Sequence, residues 1–234
     1  MATLLLRLQG PMQAWGVQSR FGVRDTAREP SKSGVIGLLC AALGRDRTEP
    51  VGDLAALRMG VRIDRAGSVL MDFHTANNVL KAGGKVGTSS GTKNTEISRR
   101  YYLANATFLV GLESDNIPLL EELHQALKAP HWMLFLGRKS FVPSPPVHLP
   151  DGLRLEENML DAFKNYPWLG ENEGEYKKLS RKEGEQIRLM LEDEKGEILI
   201  NDTPISFAER QFAPRRVHVD WIDFPEFAEK EVSL

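Results

Sequence analysis

The order of the apolar segments constrains this chain more than any single motif. Leu4, Leu5, Leu6 and Leu8 form a short strand-like run that ends at Gly10-Pro11. In the following EPSKSGVIGLLCAALG, Pro30 is a breaker and Ser31 and Ser33 offer N-caps. Val35, Ile36, Leu38, Leu39 and Leu43 recur there at helical spacing, and Gly44 suits a helix stop. Leu57, Met59, Val61 and Ile63 alternate as a strand does, and Val69 to Phe73 predicts another short strand. Beyond a long polar stretch, Tyr102 to Leu112 predicts a strand, although it contains Asn105 and Gly111. Ser114, Asp115 and Asn116 then offer caps to a helix whose Leu119, Leu120, Leu123 and Leu127 share a face and which Lys128 and Pro130 close. Trp132 to Leu136 predicts the next short strand.

Strand, helix, strand, excursion, strand, helix, strand is the ferredoxin-like split order, with an insertion between the middle strands. The inserted segment, Lys81 to Tyr102, reads KAGGKVGTSSGTKNTEISRRYY. It lacks an apolar period and carries Lys81, Lys85, Lys93, Arg99 and Arg100 against the single acid Glu96. Placed between strands of one sheet, it reads as an insertion from a hairpin rather than a tether between domains. Three readings stay open: a solvated loop, a basic hairpin on a phosphate backbone, or a protein-binding loop. Gly83, Gly84, Gly87 and Gly91 favour the second by allowing backbone amides near phosphate, and Tyr101 or Tyr102 offers a stacking surface for an unpaired base.

Other cations cluster along the chain. Arg20, Arg24, Arg28 and Lys32 precede the first helix, beside Ser33. LGRKS presents Arg138, Lys139 and Ser140 from the end of a predicted strand, and Arg210, Arg215 and Arg216 form a further patch. A ferredoxin-like layout brings the LGRKS edge toward the first loop. With 30 Lys and Arg against 32 Asp and Glu, the whole chain has no pull toward polyanions, so these clusters must supply it. Trp15 suits core or interface better than a base platform.

From Pro143 the texture becomes proline-rich and then heavily charged. Gln186 to Glu192, Glu197 to Ile200 and the alternating Val217, Val219 and Trp221 predict strands. The expected organisation is therefore residues 1–148 as a ferredoxin-like domain with the insertion at about 74–102, and residues 149–234 as a small β-rich subdomain. Five scattered histidines and the single Cys40 argue against a metal centre, and no cofactor motif is present. His74, at the root of the excursion, is the one candidate acid or base. The short N-terminal apolar run, broken by Arg7, suits neither a leader nor a span, so a cytoplasmic protein without membrane contact is expected.

LLLRLQGPMQAWG, PSKSGVIGLLCAALG, YLANATFLVGL, FLGRKSFVPSPP and FAERQFAPRRV, in that order, resemble the CasD family of the RAMP superfamily, subunits of the type I-E CRISPR surveillance complex Cascade. The resemblance implies an α+β fold, a ferredoxin-like RAMP (RRM-like) domain with an inserted β-hairpin thumb and a small C-terminal β-rich subdomain. It also implies a non-catalytic role: capping the 5′ handle of crRNA, kinking it at the handle-guide junction, and docking the backbone subunit and the large PAM-recognising subunit. Target DNA is then met through the complex. On that pattern Arg24, Arg28, Lys32, Ser33, Arg138, Lys139 and Ser140 would hold the handle, and Lys81, Lys85, Lys93, Arg99 and Arg100 would line the thumb, beside His74 and Tyr101. The alternative is a metal-independent endoribonuclease using Tyr101, Lys81 and His74, as a relative in type I-C systems does.

Overall fold

The opening leucines lie in strand β1 (Ala2–Gln9), and they fail to alternate with polar residues because the strand is covered on both faces. Leu4, Leu6 and Leu8 face one core, Leu5 the other. The computed structural model describes residues 1–16, 22–77, 95–170, 172–182, 184 and 186–227. After β1 come β2 (Met12–Gln13), β3 (Val23–Arg24), α1 (Lys32–Leu43), α2 (Gly52–Ala55), β4 (Arg58–Arg65), β5 (Ser68–Asn77) and β6 (Thr95–Ala104). The order continues with β7 (Thr107–Ser114), α3 (Ile117–Lys128), β8 (His148–Arg154), α4 (Met159–Asn165), α5 (Glu173–Lys182), β9 (Gln186–Glu192), β10 (Ile198–Ser206) and β11 (Gln211–Asp223).

The result is a mixed α+β protein with two sheets. A seven-stranded sheet runs β10-β11-β9-β4-β7-β1-β8, antiparallel at every pairing. Helices α1 and α3 cover one face. Ser31 caps α1 by accepting from the Gly34 N–H at 3.3 Å, Asn116 caps α3, and Gly44 ends α1 at φ +77°. Helix α4 covers the other face, where Gly60 and Gly111 sit opposite one another in β4 and β7. A β-carbon at Gly60 would lie 2.2 Å from Met159 Sδ, so the helix can approach only over a glycine pair. The buried Arg62, ion-paired to Asp64, donates to the carbonyls of Phe163, Tyr166 and Pro167, which satisfies acceptors left at the end of α4.

In the second, four-stranded sheet, β5 runs along one edge of β6, and β2 and β3 share the other. The chain leaves the large sheet after β4 for this hairpin and re-enters it at β7.

Two expected strands are corrected. The run Tyr102 to Leu112 belongs to two strands in different sheets, because Asn105 takes a left-handed turn at φ +54° between β6 and β7. Trp132 to Leu136 is irregular, and the strand beside β1 is β8 instead. Strand β8 contains Pro150 and Gly152, tolerable because it is a sheet edge. Strands β9, β10 and β11, beyond residue 148, extend the large sheet through β9 and β4 rather than building one of their own.

Candidate nucleic-acid interface

The root of the hairpin is where separate parts of the sequence meet. Strand β3 pairs in parallel with β6, Val23 opposite Arg99 and Arg24 opposite Arg100, and the Arg99 N–H donates to Gly22 O at 2.8 Å. The LGRKS loop closes on the same place. Its Leu136 O accepts from the Ala14 N–H at 3.1 Å, its Leu136 N–H donates to Phe141 O at 2.7 Å, and the Phe141 N–H donates to Arg138 O at 2.8 Å. Gly137 sits at φ +87°, and a β-carbon there would stand 1.7 Å from Ala14 O, so no other residue fits this turn.

Held by that turn, Arg138 reaches across the two strands. Its Nη2 donates to Tyr101 O at 2.9 Å and lies 3.5 Å from Arg24 O. Its guanidinium lies 5.4 Å from the centre of the Phe141 ring, which itself packs on Tyr102 at 5.9 Å. Burial holds the Arg138 guanidinium below its ordinary pKa, with Arg100 adding to the effect and Asp72, across the ladder from Arg100, opposing it.

Arg24, Arg99, Lys139 and Ser140 are exposed around this point, Arg28 is exposed in the segment leading to α1, and Arg100 is half-buried with Nε donating to Ser98 Oγ at 3.0 Å. Ser33 lies in the first turn of α1. Lys81, Lys85, Lys93 and Arg20 fall outside the described residues. Lys32 does not join the cluster: only 2% exposed, it gives Nζ to both oxygens of Glu192 at 2.9 and 3.0 Å, and its N–H donates to Asp202 at 2.7 Å. A buried ammonium needs a carboxylate partner, and that partner faces the sheet, not the hairpin. Arg215 is likewise bound to Asp202 and Glu192, and Arg216 donates to Gly196 O. Trp15 is buried, its Nε1 donating to Gln13.

His74 pairs with Ser98 in the ladder, whereas Tyr101 stands opposite Met71. An odd offset along a strand puts them on opposite faces, so His74 and Tyr101 of the Tyr101, Lys81 and His74 grouping do not face one another. Among the described residues no group of three or more His, Cys, Asp or Glu side chains gathers as a metal site, and no helix is long and apolar enough to cross a membrane.

A cleft of about 750 Å³ opens beside the root between α1 and the 131–139 segment. Ser33, Gly34 and Gly37 form one wall; Trp132, Phe135 and Lys139 line the other. The sequence pattern hides this cleft, because Trp132 and Phe135 read as strand core. The hairpin also exposes Met71, Phe73 and Ile97. Those three alternate along their strands as buried residues do, so only the absence of a covering layer distinguishes them.

Fold and site together define an α+β protein whose cations gather at the root of an inserted hairpin. The profile of the family described as CRISPR-associated protein (Cas_Cas5) matches residues 3–218. The chain belongs to that family. It is 33% identical over 231 residues to the CRISPR system Cascade subunit CasD of Escherichia coli (strain K12), covering 92% of this chain and 94% of that protein. A solved structure described as a Cas protein is 46% identical with a TM-score of 0.75, covering 96% of this chain and 98% of that one. A chain of a CRISPR RNA-guided surveillance complex is 32% identical with a TM-score of 0.74, covering 95% of this chain and 91% of that one.

Proposed function

We propose that this chain is a non-catalytic crRNA-binding subunit of a type I-E Cascade complex, capping the repeat-derived 5′ handle. The observation that carries the reading is the convergence of Arg24 and Arg100 with the loop that bears Arg138 and Lys139. Exposed guanidinium and ammonium groups at one strand edge suit an RNA backbone, and the apolar walls of the neighbouring cleft suit an unstacked base. The antiparallel order β8-β1-β7-β4, with α1 and α3 on one face, supports a ferredoxin-like RAMP domain, and the hairpin β5–β6 occupies the place of its thumb. Exposed Met71, Phe73 and Ile97 give that thumb an apolar surface for the backbone subunit, while RNA crosses its basic root and kinks at the handle-guide junction. The large PAM-recognising subunit docks on the same end of the complex, target DNA is met through the assembly, and the protein works in the cytoplasm.

Labelled single-stranded RNA carrying the handle, incubated with the purified protein in EDTA, tests the reading. Binding that weakens steeply with salt and leaves the RNA intact is expected. Lys139→Ala should reduce the slope of log affinity against log salt by about 0.7, one contact on a single strand. Site-specific cleavage that disappears in His74→Ala would overturn the non-catalytic role; absence of binding would overturn the RNA reading.

A further inference from the structure

We infer that Arg138 is a positioning residue: it does not grip the ligand but latches β3 and the LGRKS loop to β6, and so sets Arg24 and Arg100 side by side. The inference rests on the RNA reading for its consequence, while its structural half stands alone.

The geometry separates Arg138 from its neighbour Lys139. Lys139 is exposed, as a residue meeting phosphate through solvent should be. Arg138 is half-buried over Phe141, and its Nη2 is turned to two backbone carbonyls on different strands, Tyr101 O at 2.9 Å and Arg24 O at 3.5 Å. Those carbonyls sit where the two-residue ladder of β3 on β6 ends. A pair of strands joined over so short a stretch has little to hold it, and a single Nη2 that donates to Tyr101 O and lies 3.5 Å from Arg24 O supplies a donor the ladder lacks.

The loop beneath is built to hold this one side chain. Gly137 is packed on Ala14 O, and Leu136 and Phe141 close the turn on each other, so the arginine's backbone is fixed to the residue that follows β2, a strand itself paired with β6 at Met12–Ala104. Body, loop and hairpin are thereby tied at one residue. The facing charges agree with this role: Arg24 and Arg100 stand near the guanidinium with Asp72 and Asp25 opposing them. A third cation kept there for a phosphate would be better placed in solvent than against the ring.

The test compares Arg138→Gln, Arg138→Lys and Lys139→Ala in two measurements. Amide hydrogen exchange of the free protein reads the latch directly; handle-RNA affinity across a salt series reads its consequence. Faster exchange at residues 99–102 in both Arg138 variants is expected, with β1 and β7 amides unchanged as the sign that the fold is intact. The Lys variant should share the defect, because it keeps the charge but loses the guanidinium plane that packs on Phe141 and aims Nη2 at the two carbonyls. RNA affinity should fall roughly tenfold at every salt concentration with the slope preserved, in line with loss of charged hydrogen bonds rather than of a phosphate contact. Unchanged exchange combined with a reduced slope would make Arg138 a direct phosphate ligand and overturn the inference, as would wild-type behaviour in both measurements. If wild-type protein binds no handle RNA, the RNA reading fails, and the exchange result alone decides the latch.

Discussion

Lys32 bonds both oxygens of Glu192 and, through its N–H, Asp202, which also holds Arg215. Removing one member of such a group strands the others. Lys32→Ala should cost roughly 3 kcal/mol in urea unfolding, and Lys32→Met combined with Glu192→Gln should recover part of it; additive losses would deny the coupling. At the other edge of the sheet, the rings of His124 and His148 lie 4.5 Å apart, with Nε2 atoms 3.4 Å from each other. Burial, joined by Lys128 and for His148 by His124 itself, lowers both from the ordinary 6.5. A histidine whose folded pKa is depressed binds fewer protons folded than unfolded across the window between the two values. Stability therefore rises with pH through that window and is lost as pH falls below about 6.5. Urea midpoints from pH 7.5 to 5 should drop further for the wild type than for a His124→Gln/His148→Gln variant; parallel curves would remove the pair from the account. The sequence offers Lys32 and Lys139 as equivalent cations, and only burial separates the structural one from the available one.

Elements with their own punctuation were legible, and those defined by distant partners were not. Helices α1 and α3 follow from apolar spacing plus Ser31, Gly44 and Asn116, all local signals. Strand β8 was hidden because Pro150 and Gly152 look like loop, and its strand character comes from lying along β1. The separation of β6 from β7 turns on Asn105, since within the run Tyr102 to Leu112 the residues on both sides of it are largely apolar. The LGRKS loop was recognisable as a cationic turn, but its anchor, Ala14, lies far away in sequence. Gly137→Ala tests that anchor. The change puts a methyl group into Ala14 O, at a φ that side chains avoid, so the loop must leave β2. Core unfolding should weaken by only about 1 to 2 kcal/mol, while handle-RNA binding should suffer more than in Lys139→Ala; equal RNA binding in the two variants would mean the turn's shape is unimportant.

At the scale of the molecule, the hairpin and the large sheet are separable. The hairpin makes its ladder between β5 and β6, is met at its root by β3, and exposes Met71 and Phe73. Asp72 and Arg100 stand directly opposite, so an Asn-Gly turn joining them can replace the segment between. The shortened protein should melt within a few degrees of the wild type; collapse of the fold would show that the hairpin supports the body. It keeps the root cations Arg24, Arg100, Arg138 and Lys139, so it should still bind handle RNA, with a shallower salt slope for the loss of Arg99 and the cations between. The large sheet is less divisible. Strand β4 has β7 on one side and β9 on the other, and its residues from Met59 to Asp64 are buried throughout. During synthesis the chain is made from its N-terminus at about 5 to 20 residues per second, and about 120 residues separate the end of β4 from the start of β9. A newborn chain therefore carries a strand that the finished fold buries, with one open edge, for on the order of ten seconds before its natural neighbour leaves the ribosome. Crowded translation of a single message, with several nascent copies side by side, is where this protein is most exposed to pairing with the wrong chain.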